Sequence, residues 1–349
     1  MKNIVIILGL ILLQSSAFAI DEAMIEQKKE FKYSFSAKST DVLDISNHYG
    51  DIKVVFWSKD AVQTNVTVTA NAPNSSMLEE LFGSINISGK KVGSQIRIST
   101  LIDKSSSFSS WSSKSKGKPT NFRIDYLIYM PADLELKLSN SFGEVILPDF
   151  KAPLSLNLNY CTLVADNIQN RQSSLNLNYG SADIGTISGG NINSNFMNIN
   201  ISEAKNMILN NNHGRINVKT MEDLEGILNY SKGLLGNIKD EVKLKLNFSN
   251  NLIIKNIDEH INNLEISSNY SDLDLPISNK FNGSFDIKTT HGTFLINPAL
   301  SVIFYRNSEK DKKTSTGRST SNFYQGKIGT NTQKGKIVII SNYGDVKIK

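Results

Sequence analysis

Aliphatic residues return along this chain at fixed distances from a ring. The ring sits in a three-residue phrase, Asn-Tyr-Gly or a close variant, at Tyr49, Phe142, Tyr160, Tyr179, Phe196, His213, Tyr230, Phe248, Tyr270, His291 and Tyr343. Four residues earlier stands Ile or Leu in nearly every copy, as at Ile45, Leu138, Leu156, Leu175, Ile192 and Leu209; Gly226 is the exception. Three and five residues later the positions are again mostly apolar, as at Ile52 and Val54, Val145 and Leu147, or Ile216 and Val218. From Phe142 to His291 the rings advance by 18, 19, 17, 17, 17, 18, 22 and 21 residues. A constant period of this length marks a repeat architecture.

Upstream of the ring the period is two, which places the aliphatic residue and the ring on one strand face. Downstream the first apolar step is three. An odd step reverses the parity, so the chain must bend, and the small residue after the ring is the expected place. The pattern therefore predicts an all-β fold: a right-handed parallel β-solenoid (β-helix) with coils of 17–22 residues, each ~4.8 Å above the last. In that register the rings form an interior stack and the asparagines before them a ladder of side-chain amides. A sandwich of β-hairpins is the competing fold, and its strands rarely keep a constant period.

Two segments interrupt the repeat. Between Trp57 and Met130, alternation predicts strands at 61–70, 96–100 and 122–130, with a short helix opened by the capping-box spelling Ser76-Met-Leu-Glu79. Residues 105–120 are rich in Ser and Lys and read as a loop, as do 305–327, before a last pair of strands. Phe31, Tyr33 and Phe35 alternate in a segment that would cap the first coil. The expected organisation is a signal peptide at 1–19, an N-terminal β region at 20–135, regular repeats at 136–300, and a basic loop with terminal strands at 301–349.

Composition sharpens this picture. The 40 asparagines suit corners, since Asn tolerates unusual backbone angles and bonds its neighbours. One Cys excludes a disulfide framework and a multi-Cys metal site. A formal charge of +5 is too mild, and too dispersed, for a nucleic-acid binder. Lys2, the apolar run from Ile4 to Leu13 and Ala17-Phe18-Ala19 spell a signal peptide cleaved near Ala19. Export to the periplasm, the outer-membrane surface or the medium is expected, with no transmembrane segment.

The frame from Leu43 to Val54, followed by Trp57-Ser-Lys-Asp60, resembles the start of an adhesin-like family of exported Bacteroidota proteins with β-strand repeats, related to adhesin head domains. Tyr126 to Pro131, Leu134 to Leu138 and Gly143-Glu-Val145 resemble the opening of that family's repeat region. The resemblance implies a β-solenoid at the cell envelope. Its matching motifs are structural, so no catalytic or binding residue carries over.

Candidate chemistry is sparse. His213 and His291 occupy the ring column four coils apart, too far to share a metal ion. Asp272 and Asp274 lie two apart on one strand, the spacing of an inverting glycosidase pair, yet outward strand positions are ordinarily polar. Cys161 has no His in its coil to activate it. No catalytic residue, metal site or cofactor is expected, so the chain reads as a non-enzyme; a polysaccharide lyase or glycoside hydrolase is the alternative. The expected ligand contacts are Trp111, Lys114, Lys116 and Lys118 in the first loop, with Lys310, Lys312, Lys313 and Arg318 in the second. A glycan or a cell-surface protein is the expected partner.

Overall fold

A computed structural model of the protein describes residues 24–103, 120–305, 321–330 and 334–349. The fold is all-β, with one helix among the described residues. Most strands join one mixed sheet of 17 strands, and a second sheet of three is parallel throughout.

From Glu135–Leu147 to Asn263–Asn269, each stretch pairs in parallel with the next at equivalent positions of the repeat. Leu138 lies beside Leu156, Leu156 beside Leu175, and Leu175 beside Ile192. The repeat period is thus the pairing offset, and equivalent residues form columns across the strands. Columns four and two before the ring face inward, with Leu156, Leu158, Leu175, Leu177 and Ile192 all buried.

The ring does not follow them. Every ring residue lies in the left-handed region, from φ 48° at Tyr230 to φ 62° at Tyr49 and Phe142. One left-handed residue turns the strand over: the ring points out, and the residue after it points in. Cys161, Met197, Ser231, Ser249 and Ser271 occupy that next position and are buried. The bend is therefore at the ring itself, not at the Gly or Ser that follows. The expected interior stack is a single column, but on the outside, with Tyr160 53% and Tyr230 52% exposed.

A second correction concerns the repeat after Phe248. Leu235 pairs with Ile254, which is buried, whereas Ile253 is exposed. An extra residue in the Ser249-Asn250-Asn251 turn moves the inward position by one.

Both ends are closed by strands that leave the chain order. Val42–His48 lies between Gln95–Ile102 and Glu135–Leu147, parallel to both. Ala61–Ala72 alternates buried and half-buried residues and pairs antiparallel with Ile25–Ser36 on one side and Asn121–Met130 on the other. Phe31, Tyr33 and Phe35 thus belong to an edge strand paired with Ala61–Ala72, and the Tyr33 hydroxyl donates to the Ile87 carbonyl at 2.8 Å. The helix Ser75–Ser84 is capped by Asn74, whose side chain accepts from the Met77 N–H at 3.0 Å; Ser76 lies inside the first turn and is not the cap. At the other end Gly335–Asn342 slides between Asn263–Asn269 and Gly283–Thr290, parallel to both. Ser321–Ile328 then pairs antiparallel with Gly283–Thr290, and Val302–Phe304 lies outside it. Beneath all of these runs one continuous hydrophobic cluster from Ala37 to Ile348.

Candidate binding surface

The outward rings stack face to face along the strand-pairing direction. Centroids are 5.1 Å apart between Tyr49 and Phe142, 4.8 Å between Tyr160 and Tyr179, and 4.6 Å between His213 and Tyr230. Interplanar angles stay between 2° and 14° down the column. Tyr343 stacks between Tyr270 and His291, because its strand is the one inserted from the C-terminal end. His213 and His291 are therefore five rungs apart rather than four, farther still from any shared metal. The rings seal one another's faces, so solvent meets their edges.

Beside the rings runs the ladder of amides. The Nδ2 of Asn178 donates to the Oδ1 of Asn159 at 3.2 Å, Asn195 to Asn178 at 2.9 Å, and Asn212 to Asn195 at 3.1 Å. Asn229, Asn247, Asn269 and Asn342 continue it in the same sense. This is the ladder the corner asparagines predict, and it accounts for much of the Asn excess. Shorter amide ladders flank it, Asn176–Asn193–Asn210 on one side and Asp183–Asn200–Asn217 on the other.

Two positions past the ring, side chains cap the backbone of the neighbouring rung. Asp51 accepts the Glu144 N–H at 2.8 Å, and Asp272 accepts the Asp345 N–H at 2.8 Å. The Thr293 N–H and hydroxyl both donate to Asp345, holding that carboxyl below the ordinary aspartate range. Asp274 forms an ion pair with Lys349. Each carboxylate of the glycosidase-spaced pair therefore has a structural partner.

A second left-handed column was missed in the sequence: Asn206, Asp223 and Asp240, at φ 49°, 50° and 57°. Their 17-residue spacing was the available signal, and Asn or Asp is there because the backbone demands it. With Glu222, Asp223 and Asp240 bring three carboxylates within 4.8 Å of one another. Lys205 bridges Glu203 and Glu222 at 3.0 and 3.5 Å, and Asn262 donates to Asp240, so part of this charge is already answered.

Cys161 is buried at the inner corner, donating to the carbonyls of Asn140 and Asn159, and burial pushes its thiol above the ordinary range. That is the opposite of nucleophile activation. The expected contacts Trp111, Lys114, Lys116, Lys118, Lys310, Lys312, Lys313 and Arg318 all lie outside the described residues. No helix among the described residues is long and apolar enough to cross a membrane.

No family model matches the chain. No curated protein matches it either. Among solved structures it is similar to a "putative cell adhesion protein" from Clostridium sporogenes ATCC 15579, with 12% identity over 93% of this chain and 99% of the other, at TM-score 0.19. It is also similar to a "putative adhesin" from Bacteroides fragilis NCTC 9343, with 9% identity over 92% and 97%, at TM-score 0.31. A "putative adhesin" from Parabacteroides distasonis ATCC 8503 has 10% identity over 92% and 97%, at TM-score 0.33.

Proposed function

We propose that the chain is an exported, non-enzymatic, adhesin-like module. In this reading its repeats wind as a right-handed parallel β-solenoid, and it engages a glycan or a cell-surface protein along the flank that carries the rings and amides. The observation that carries the proposal is the unbroken exposed strip of stacked ring edges and hydrogen-bonded amides. Such a strip repeats a ring edge at every rung and an amide beside most of them, which suits an extended partner better than a small substrate. Parallel pairing at offsets of 17, 18 and 19 residues supports the solenoid.

The test is cell fractionation with surface proteolysis, followed by a glycan array on the chain from Ile20. Recovery in the envelope or medium, with binding to a subset of glycans or to a surface protein, is the expected result. Cytoplasmic recovery with the leader uncleaved, or a chain that binds no glycan and no surface protein, would overturn the reading. The enzyme alternative has its own check in Asp272→Asn with Asp274→Asn. Asn at 272 keeps an acceptor for the Asp345 N–H, so stability should move by no more than about 1 kcal/mol. Neither wild type nor variant should release reducing ends from acidic or neutral polysaccharides. Turnover by wild type that vanishes in the variant would make the protein a glycosidase.

A further inference from the structure

In the middle of the ring column the surface beside it turns basic. Arg215 and Lys232 stand on neighbouring rungs, each two positions past its ring, where other rungs carry Asp51, Glu144, Asp272 and Asp345. Together with Phe196, Asn198, His213 and Tyr230 they line a shallow groove that contains no carboxylate. Both cations are exposed, and neither forms an ion pair among the described residues. Some cations elsewhere are answered, Arg97 by Asp44 at 2.8 Å, Arg123 by Asp51 at 2.6 Å and Lys205 by two glutamates, whereas Arg215 and Lys232 are two unanswered cations on adjacent rungs of one groove. Two cations one rung apart, ~4.8 Å, repel one another. An anion from outside would relieve that repulsion.

We propose that this groove binds the carboxylates of an acidic polysaccharide, a polyuronate running along the ladder. The inference rests on the adhesin-like reading and names the ligand class and the rungs that would hold it. The stacked rings favour the same class. Their faces are sealed by neighbours at 5.0 Å and 4.6 Å, so sugars cannot stack on them. What remains is the ring edge, the positive rim of the aromatic quadrupole, which attracts anionic oxygen rather than the apolar face of a sugar. Arg215 offers a fork that matches a carboxylate, and Lys232 a point charge one rung on. The amides of Asn198, Asn200 and Asn217 then lie within the track of the sugar hydroxyls.

The experiment is calorimetric or interferometric titration with oligogalacturonate and with the same oligomer after its carboxyls are reduced to alcohols. Wild type should bind the acid form, more weakly as salt rises, and the reduced form at least about tenfold less well. Arg215→Ser with Lys232→Ser should lose at least about tenfold for the acid form while its melting curve stays at the wild-type position. Lys90→Ser with Lys151→Ser removes the same charge elsewhere and should bind as wild type does. Equal loss in both double variants would mean bulk charge and overturn the site. Equal binding of both oligomers, unaffected by Arg215→Ser with Lys232→Ser, would overturn the inference and leave a neutral-glycan module standing. Capture of polyglutamate or anionic vesicles in place of the oligomer would overturn it in favour of another partner class. Failure with every glycan and surface protein would sink the module reading as well.

Discussion

A ring in the left-handed region of the backbone carries a steric cost of ~1–2 kcal/mol that glycine would not. Eleven residues here carry it, and each recovers energy by stacking. Tyr230 has φ 48° and packs on His213 at 4.6 Å and Phe248 at 5.0 Å. A ring closed in a core would cost ~3–5 kcal/mol when cut to Ala. Tyr230 leaves its edge in water, so Tyr230→Ala should lose mainly two stacking contacts, about 1–3 kcal/mol. The sharper expectation is an order. Tyr230→Gly loses the same contacts but relieves the left-handed strain, so it should be more stable than Tyr230→Ala by about 1 kcal/mol. Ordinary strand positions give the reverse order, because Gly weakens them. Urea unfolding of the two variants decides it, and an Ala variant more stable than the Gly variant would show that the corner is not at the ring.

The amide column makes a second residue-level expectation possible because it has a direction. Each asparagine donates to the rung before it and accepts from the rung after it. At Asn212 an Asp would still accept from Asn229 but would set a second acceptor against the Oδ1 of Asn195. Asn212→Asp should therefore cost ~1–3 kcal/mol. At Asn159, the first rung of the amide run, the side chain is needed only as an acceptor for Asn178. Asn159→Asp should be close to neutral in the same assay. Equal costs at the two positions would mean that the ladder is not polarised as described.

At the scale of the element, the inserted C-terminal strand is the most exposed to mutation. Gly335–Asn342 supplies the partner of two other strands at once, and Ile337 and Ile339 are completely buried in it. Ile339→Ala should cost ~2–5 kcal/mol, read by urea unfolding. A change under about 1 kcal/mol would mean that Asn263–Asn269 and Gly283–Thr290 pair directly and that the strand is peripheral. This insertion also shows where the sequence stops informing. The period, the inward columns at Leu138, Leu156 and Leu175, the strands at 61–70, 96–100 and 122–130 and the Asn ladder are readable as local patterns, whereas Ile85–Val92, the strand that directly follows the helix, is not among them. Nor is the rung order Tyr270, Tyr343, His291, because pairing across 73 residues leaves no mark on periodicity. The outward turn of the rings was hidden for another reason. Ile45 and Asn47 alternate inward before Tyr49, and only the φ of Tyr49 itself breaks the alternation. The extra residue before Ile254 leaves no trace in the pattern, because Ile253 and Ile254 satisfy it equally well. The basic groove at Arg215 and Lys232 was written in the sequence as two cations 17 residues apart. Their significance needed the pairing that puts them on adjacent rungs.

For the molecule as a whole, the pairing pattern sets how damage spreads. Between Glu135 and Asn269 the stretches pair in chain order, and beyond the ends of this run the order is broken by inserted strands. Stability in such a stack is approximately a sum of rung terms and nearest-neighbour interfaces. A local loss therefore opens the affected rung and its neighbours before it opens the rest. Leu177 is fully buried, with Leu158 on one side and Ser194 on the other. Leu177→Ala leaves a cavity costing ~2–5 kcal/mol that these neighbours can fill only in part. Hydrogen exchange should then quicken in Leu154–Ile168, Ser174–Ser188 and the first rung of Asn191–Asn247. Amides of Ala61–Ala72 and Gln95–Ile102 should keep their wild-type rates, because they are held by antiparallel partners and by Val42–His48, several rungs away. Acceleration of equal size in every strand, the N-terminal cap included, would show one cooperative unit and rule out a stack of nearest-neighbour rungs. Confinement to the three named segments would identify the rung as the unit of stability. It would also mean that substitutions at Arg215 and Lys232 can be read for binding without disturbing either end of the molecule.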